Sequence, residues 1–345
     1  MRCARLTGPR TVEIVDIPEP DAAPGTVVVA IGSCSVSASD VEAFERGSID
    51  PVSWFGHGWT GSVVAIGDGV RGRFEGERVV VGAPPACGRC STCRAGHPGN
   101  CPEVVAAIVG ADEWSSGHGG FAERIRVDAR RVHRLPEGVP DEDAALVEAA
   151  AVAAHAVERS GLRVGDVVAV VGAGTIGLLV AEVARLAGAA RVVAVDPDAD
   201  RRELACELGA DAAFNPGDGA AAWLDRTATG VGADVVFDAA GRPGSLADAV
   251  RLARRGGTVV AVSVASHDTA VVPALLLDRE LDLKGSLGYR VGDVERVLTL
   301  MADDRLRVDR LRGVSLGLDG LAAALAEIAD GRGAVGARRL VDPAR

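Results

Sequence analysis

The sequence predicts an α/β chain in which a small, mostly antiparallel β domain precedes a doubly wound parallel sheet. Three observations predict it. Early in the chain, short β-rich runs alternate with Gly and Pro turns: "TVEIVDIP", "TVVVAIG", "GSVVAIG", "ERVVVGA" and "ERIRVDA". From "DEDAALVEAAAVAAHAVERSGL" onward, strands and helices alternate, and the strands "DVVAVV", "ARVVAVD", "ADVVFD" and "GTVVAVSV" are continuous Val/Ala runs. Such runs mark strands buried on both faces, as in a parallel sheet covered by helices. The tail after Gly285 is too short to hold a core of its own and is expected to pack back onto the first domain. The expected boundaries are residues 1–152 with 286–345 for the β-rich domain, and 153–285 for the parallel sheet.

The long central helix is expected to open on an Asp N-cap in "DEDAAL" and to stop at Gly161. Beyond "LDLKGSLGYR" one helix, a short strand and another helix are expected. The length of 345 residues suits two domains. With 37 basic against 48 acidic residues the net charge is −11, which argues against a nucleic-acid partner. The N-terminal stretch has no apolar signal core and no run is long enough to span a bilayer, so a soluble, cytoplasmic protein with no membrane partner is expected.

Four of the seven cysteines fall in "CGRCSTCRAGHPGNC", as Cys87, Cys90, Cys93 and Cys101. This crowding points to a metal rather than to disulfides. Four thiolates suit a closed tetrahedral site for one structural zinc, which stabilises a loop and leaves no open position for chemistry. An iron–sulfur cluster fits on count alone, but nothing else in the chain suggests electron transfer. His97, inside the loop, is expected at the surface. Cys3, Cys34 and Cys206 stand alone and read as small buried thiols.

"VVAVVGAGTIGLLVAEVARLAGAARVVAVD" carries G-x-G-x-x-G as Gly172, Gly174 and Gly177, between a strand and a helix. Each glycine has a mechanical reason: a tight turn, close approach of backbone to a pyrophosphate, and close packing of helix on strand. Thr175 and Ile176 begin the helix whose N-terminus would supply amide donors to the phosphates. Asp196, ending the next strand, would accept hydrogen bonds from ribose hydroxyls and repel a 2′-phosphate. NAD(H) is therefore favoured over NADP(H). Arg201 nearby either softens that preference or is a helix-surface charge.

Together these features resemble the zinc-containing alcohol dehydrogenase branch of the medium-chain dehydrogenase/reductase family, nearest its sorbitol- and cyclitol-dehydrogenase-like members. The resemblance runs from "VVVAIGSCSVSASDVEAF" to "GSLGYRVGDVERVLTLM". It implies a GroES-like β-rich catalytic domain with the cysteine lobe, a Rossmann domain, and a homodimer or homotetramer. In that family a catalytic zinc takes a Cys from C-G-[ST]-D and the His of G-H-E, with that Glu or an acid at the head of the central helix. Here the stretches read Ser37-Ala38-Ser39-Asp40 and Gly56-His57-Gly58, while His57 and Glu148 remain. Neutral serine is a poor ligand and glycine is none, so the catalytic zinc is expected to be absent or weakly held unless Cys34 or Asp40 joins in.

Without the metal, the resemblance makes Ser39 a proton relay and Asp40 the carboxylate that orients His57 as a general base. Glu148 becomes a second acid/base or an anchor for a substrate hydroxyl, and Glu42 sits where many relatives place a histidine that passes the proton to solvent. Each has a plainer reading: His57 as a satisfied core histidine, Glu148 as a helix-dipole partner, Ser39 as a turn serine. His118, in "SSGHGGFAE", reads as part of a mobile loop, and His155 as packing or interface. Trp54, Trp59 and Trp114 are core or pocket wall, and Tyr289 and Arg290 line the nicotinamide end or a subunit contact. The leading function is NAD(H)-dependent interconversion of a polar secondary alcohol (a polyol, cyclitol or sugar derivative) and its ketone. The alternatives are reduction of an activated C=C or C=N bond and a dinucleotide-binding protein without catalysis.

Overall fold

The computed structural model describes residues 1–111, 116–227, 232–263, 268–271, 273–332 and 338–345. The chain divides into two units, each built on its own sheet. The first comprises Met1–Glu148, Tyr289–Asp304 and Val308–Arg345. Its main sheet runs Arg312–Leu316, Arg338–Val341, Thr26–Ser35, Gly58–Ile66, Arg78–Val81 and Val132–Arg134, with Arg124–Asp128 also pairing Thr26–Ser35. All pairings in it are antiparallel except the first, between Arg312–Leu316 and Arg338–Val341. Strand Thr26–Ser35 is the hub: Val27 faces Ile66 at one end and Ser35 faces Gly58 at the other. Val27, Val29, Ile31, Val63 and Val79 join Phe44, Phe121 and Leu321 in its core, each at most 3% exposed. Burial of this kind contributes about 2 kcal/mol per large side chain and holds the loops at both sheet ends.

The second unit, Ala149–Gly288 with Arg305–Arg307, has among its described residues six strands that are all parallel. Numbered within the unit, their spatial order is third, second, first, fourth, fifth, sixth. Val167–Val171, first in sequence, is buried at every residue, which is the condition its Val/Ala run implied. Among the described residues no helix is long and apolar enough to cross a membrane.

Four local readings change. The central helix is two: Asp141–Ala144, capped by Pro140, and Val147–Ser160. Asp141 lies inside the first of these rather than at its cap, and its carboxylate pairs with Arg78. Gly161 does follow the second helix, in a left-handed conformation at φ 78°. The tail holds one strand more than expected, Arg338–Val341, which zips onto Thr26–Ser35. Cys206 is exposed, whereas Cys3 and Cys34 are buried. His118 is buried, its Nδ1 2.9 Å from the Gly119 carbonyl oxygen.

Candidate active site

The Ser35–Gly58 end of the first unit's sheet gathers three buried polar side chains, those of Asp40, Glu148 and Arg338, and the half-buried His57. His57 sits one residue before strand Gly58–Ile66, and Glu148 in the first turn of helix Val147–Ser160. Asp40 belongs to the first turn of helix Ala38–Arg46, and Arg338 opens strand Arg338–Val341.

His57 Nδ1 lies 3.2 Å from the Trp54 carbonyl oxygen. A carbonyl only accepts, so Nδ1 carries the proton and the neutral ring keeps its lone pair on Nε2. That atom stands 3.6 Å from Glu148 Oε2. Burial pulls the His57 pKa down, but the carboxylates of Glu148 and, to a lesser extent, Asp40 together more than offset it and the net shift is upward. For Glu148 burial pushes up, His57 and Arg338 pull down, and the net shift is downward. Both shifts favour an imidazolium beside an ionised carboxylate.

Arg338 is the residue that sequence reasoning missed. Its side chain is 8% exposed, with Nη1 4.0 Å from Glu148 Oε2 and donating to Ser35 Oγ at 3.2 Å. Burial lowers its pKa, yet a guanidinium keeps its charge in proteins. A fixed cation thus backs the Glu148 carboxylate. The one available signal was alternation in "RRLV", which sets Arg338 on the same face as buried Leu340.

The expected bracing of His57 by Asp40 is corrected. Asp40 Oδ1 accepts from the Gly56 amide at 2.8 Å, and Oδ2 from the Ser37 amide at 2.7 Å and the Ser37 hydroxyl. Asp40 therefore fixes the loop that carries His57, and the Trp54 carbonyl orients the ring. Ser39 Oγ lies 2.8 Å from Ser37 Oγ. Because Ser37 gives its hydrogen to Asp40, Ser39 donates to Ser37. Glu42 pairs with Arg46 one helical turn away.

A catalytic zinc does not fit this residue set. Among the described residues the only cluster of three or more His, Cys, Asp or Glu donors is the cysteine quartet. Cys34 is fully buried, its pKa is pushed well up by burial, and its thiol points to the Gly56 carbonyl at 3.4 Å. It is a neutral thiol rather than a ligand. A Cβ on Gly58, the position where the family resemblance implies glutamate, would meet Ser35 Oγ at 2.8 Å, so Ser35 would have to move to admit that donor.

The quartet fits structural zinc. Cys101 Sγ lies 3.5 Å from Cys87 Sγ, the Cys87–Cys93 and Cys90–Cys101 pairs are 4.0 Å apart, and all four sulfurs fall within 4.8 Å. A tetrahedron with zinc–sulfur bonds of ~2.3 Å has edges of about 3.8 Å. Burial raises the Cys101 pKa, but backbone amides, that of Cys87 foremost, outweigh it and bring it to about 6. His97 is exposed.

In the second unit Gly172 is left-handed at φ 94°, and a Cβ there would meet the Ala240 backbone at 2.7 Å. A Cβ on Gly177 would lie 1.8 Å from the Gly172 oxygen, while one on Gly174 meets nothing within 4 Å. Two glycines are required by packing, and the third leaves an open backbone surface at the N-terminus of helix Thr175–Leu186, the fit a pyrophosphate needs. Gly174, Thr175 and Ile176 are half-buried at that tip. Asp196 accepts from the amides of Ala173 at 2.7 Å and Asp198 at 2.9 Å, so it also ties the turn to its strand. Arg201 Nη1 stands 4.0 Å from Asp196 Oδ2.

Of the tryptophans, Trp59 is core, and Trp54 and Trp59 both line a cavity of about 20 Å³ beside His57. That is room for about one water. Trp114 lies outside the described residues. Tyr289 is buried, its pKa pushed up first by burial and then by Glu148, so it stays a neutral phenol. Arg290 binds Asn100 at 3.1 Å, next to the cysteine quartet.

Comparison with known proteins agrees with this division. Residues 23–137 match the alcohol dehydrogenase GroES-like domain, and residues 175–303 match the zinc-binding dehydrogenase family. The chain is 34% identical to (R,R)-butanediol dehydrogenase of Bacillus subtilis strain 168, over 93% of this chain and 94% of that one. It is 35% identical to 2-dehydro-3-deoxy-L-galactonate 5-dehydrogenase of Pseudoalteromonas atlantica, over 82% of each. A Sinorhizobium meliloti 1021 protein crystallised with NADP superposes with a TM-score of 0.84 at 30% identity, over 99% of each chain. The chain belongs to the zinc-type alcohol dehydrogenase branch of the medium-chain dehydrogenase/reductase family.

Proposed function

We propose that the chain interconverts a polar secondary alcohol and its ketone with NAD(H), using His57 in place of a catalytic zinc. The observation that carries this reading is the His57 Nε2–Glu148 Oε2 pair at 3.6 Å, with Nδ1 already held by Trp54. The family membership and the diol and sugar-acid substrates named in the relatives support the reaction class.

In oxidation, Nε2 takes the hydroxyl proton and Glu148 stabilises the imidazolium; in reduction the proton returns from Nε2 to the carbonyl oxygen. Arg338 keeps Glu148 ionised, and Ser39, at the end of a hydroxyl chain to Asp40, anchors a second polar group of the substrate. The nicotinamide, when bound, supplies the hydride acceptor or donor. Gly172, Gly174, Thr175, Ile176 and Gly177 hold the pyrophosphate in this reading, and Asp196 and Arg201 face the adenosine ribose, with NAD(H) favoured. Cys87, Cys90, Cys93 and Cys101 hold one zinc. The first unit is the catalytic domain and the second the nucleotide domain of a cytoplasmic homodimer or homotetramer.

Zinc per chain, measured with NADH-dependent reduction of a panel of hydroxyketones, tests the proposal. One zinc per chain, turnover that resists chelator and its loss in His57→Ala are the expected results. Two zincs per chain with chelator-sensitive turnover would return the chain to metal-dependent chemistry.

A further inference from the structure

We propose a second ligand site in the first unit, for a small anion bearing two or more phosphate groups, at the sheet end opposite His57. A cavity of about 680 Å³ opens there, bordered by Gly25 just before strand Thr26–Ser35. His57 neighbours the far end of the same strand, where Ser35 faces Gly58. Nine residues at ~3.3 Å each separate the two ends by about 30 Å. The volume is that of a small-molecule site.

Four guanidinium side chains line this cavity, those of Arg71, Arg73, Arg130 and Arg134. Two carboxylates hold three of them in place. Asp128, 5% exposed, takes Arg130 through Nε at 3.0 Å and Nη2 at 2.6 Å. Glu77, 2% exposed, takes Arg73 Nη1 at 3.2 Å and Arg134 Nε at 2.8 Å on one oxygen. Arg134 is also set over the Phe74 ring at 5.3 Å, which leaves its two terminal nitrogens without a partner among the described residues. Arg71 has no hydrogen bond or ion pair among the described residues.

Arg71, together with Arg73 and Arg134 that share the single carboxylate of Glu77, leaves a surplus of two positive charges (three cations less one anion) in a chain whose net charge is −11. Like charges gathered around one cavity repel unless an anion sits among them. Arg134, held through Nε by Glu77, keeps its two terminal nitrogens for phosphate oxygens, and Arg71 beside it offers a second fork, a pairing which a single monovalent ion would not satisfy. The walls thus have the charge, the fixed donors and the size for a polyphosphate or a bisphosphorylated metabolite.

Titration calorimetry of the full chain with inorganic pyrophosphate, at near-physiological salt, tests the site. Saturable binding is expected, weakened at least about tenfold in Arg71→Glu or in Arg134→Gln. Both side chains are exposed, and in Arg134→Gln the buried Glu77 keeps Arg73 as its partner. Binding retained in Gly174→Val would separate this site from the glycine turn of the second unit. Absence of saturable binding at millimolar pyrophosphate, or unchanged affinity in both arginine variants, overturns the proposal.

Discussion

Arg338→Met removes the cation behind Glu148 while keeping an unbranched side chain in the space. At the 4.0 Å separation, two charges interact by about 4 kcal/mol at an effective dielectric of about 20. The loss in stability is smaller, because Glu148 can take up a proton instead. Protonating a carboxyl of ordinary pKa 4.5 at neutral pH costs about 3 kcal/mol, which caps the electrostatic penalty. His57 stays at 3.6 Å as a partner, so a destabilisation of about 2 kcal/mol and a Tm lowered by about 5 °C are expected. A second readout separates this from mere packing. Arg338 depresses the His57 pKa, so its removal should move the His57 titration to higher pH. Calorimetry gives the Tm, and imidazole NMR titration, assigned with His57→Gln, gives the pKa. An unchanged or lowered His57 pKa together with an unchanged Tm would show that Arg338 does not act on the pair.

The pair's own contribution follows pH. His57 is shifted up, so its share is full below 6.5 and is lost as pH rises through the folded value; Glu148 is shifted down, so its share is full above 4.5 and is lost as pH falls through the folded value. A double-mutant cycle of His57→Ala and Glu148→Gln should therefore show its largest coupling between pH 4.5 and 6.5, and a coupling flat in pH refutes the pairing. His57→Ala is expected to lower kcat/KM by a factor of about 10² to 10⁴, and added imidazole to restore part of it. Cys101→Ser should release the structural zinc and lower Tm, read by elemental analysis and calorimetry; a variant that retains full zinc contradicts the quartet. Gly177→Val, whose Cβ would lie 1.8 Å from the Gly172 oxygen, should destabilise by more than about 3 kcal/mol. Gly174→Val, with nothing within 4 Å, should fold normally but lose NADH affinity in a fluorescence titration.

Much of this molecule was legible in one dimension. Burial on both faces of a strand forces a continuous apolar run, so Val167–Val171 and its neighbours announced a parallel sheet. Steric need for glycine is equally local, which is why Gly172 and Gly177 could be read as turn and packing residues. The cysteine spacing placed four sulfurs in one loop, and they do converge. The loss of donors at Ser37 and Gly58 was visible letter by letter.

What lay beyond the sequence were contacts between residues far apart in it. Arg338 reaches Glu148 only because a four-residue strand zips onto Thr26–Ser35. Asp40 could be assigned to the site but not to its partner: the turn of the chain between residues 40 and 57 brought the Gly56 amide to its carboxylate, and the Trp54 carbonyl to the ring. Likewise, arginines at 71 and 73 lie far in sequence from those at 130 and 134, and only the sheet end sets them around one cavity. Composition and spacing constrain which backbone forms, because propensity and burial act over a few residues. Which charges face each other is decided by register and loop closure, and only the folded chain fixes those.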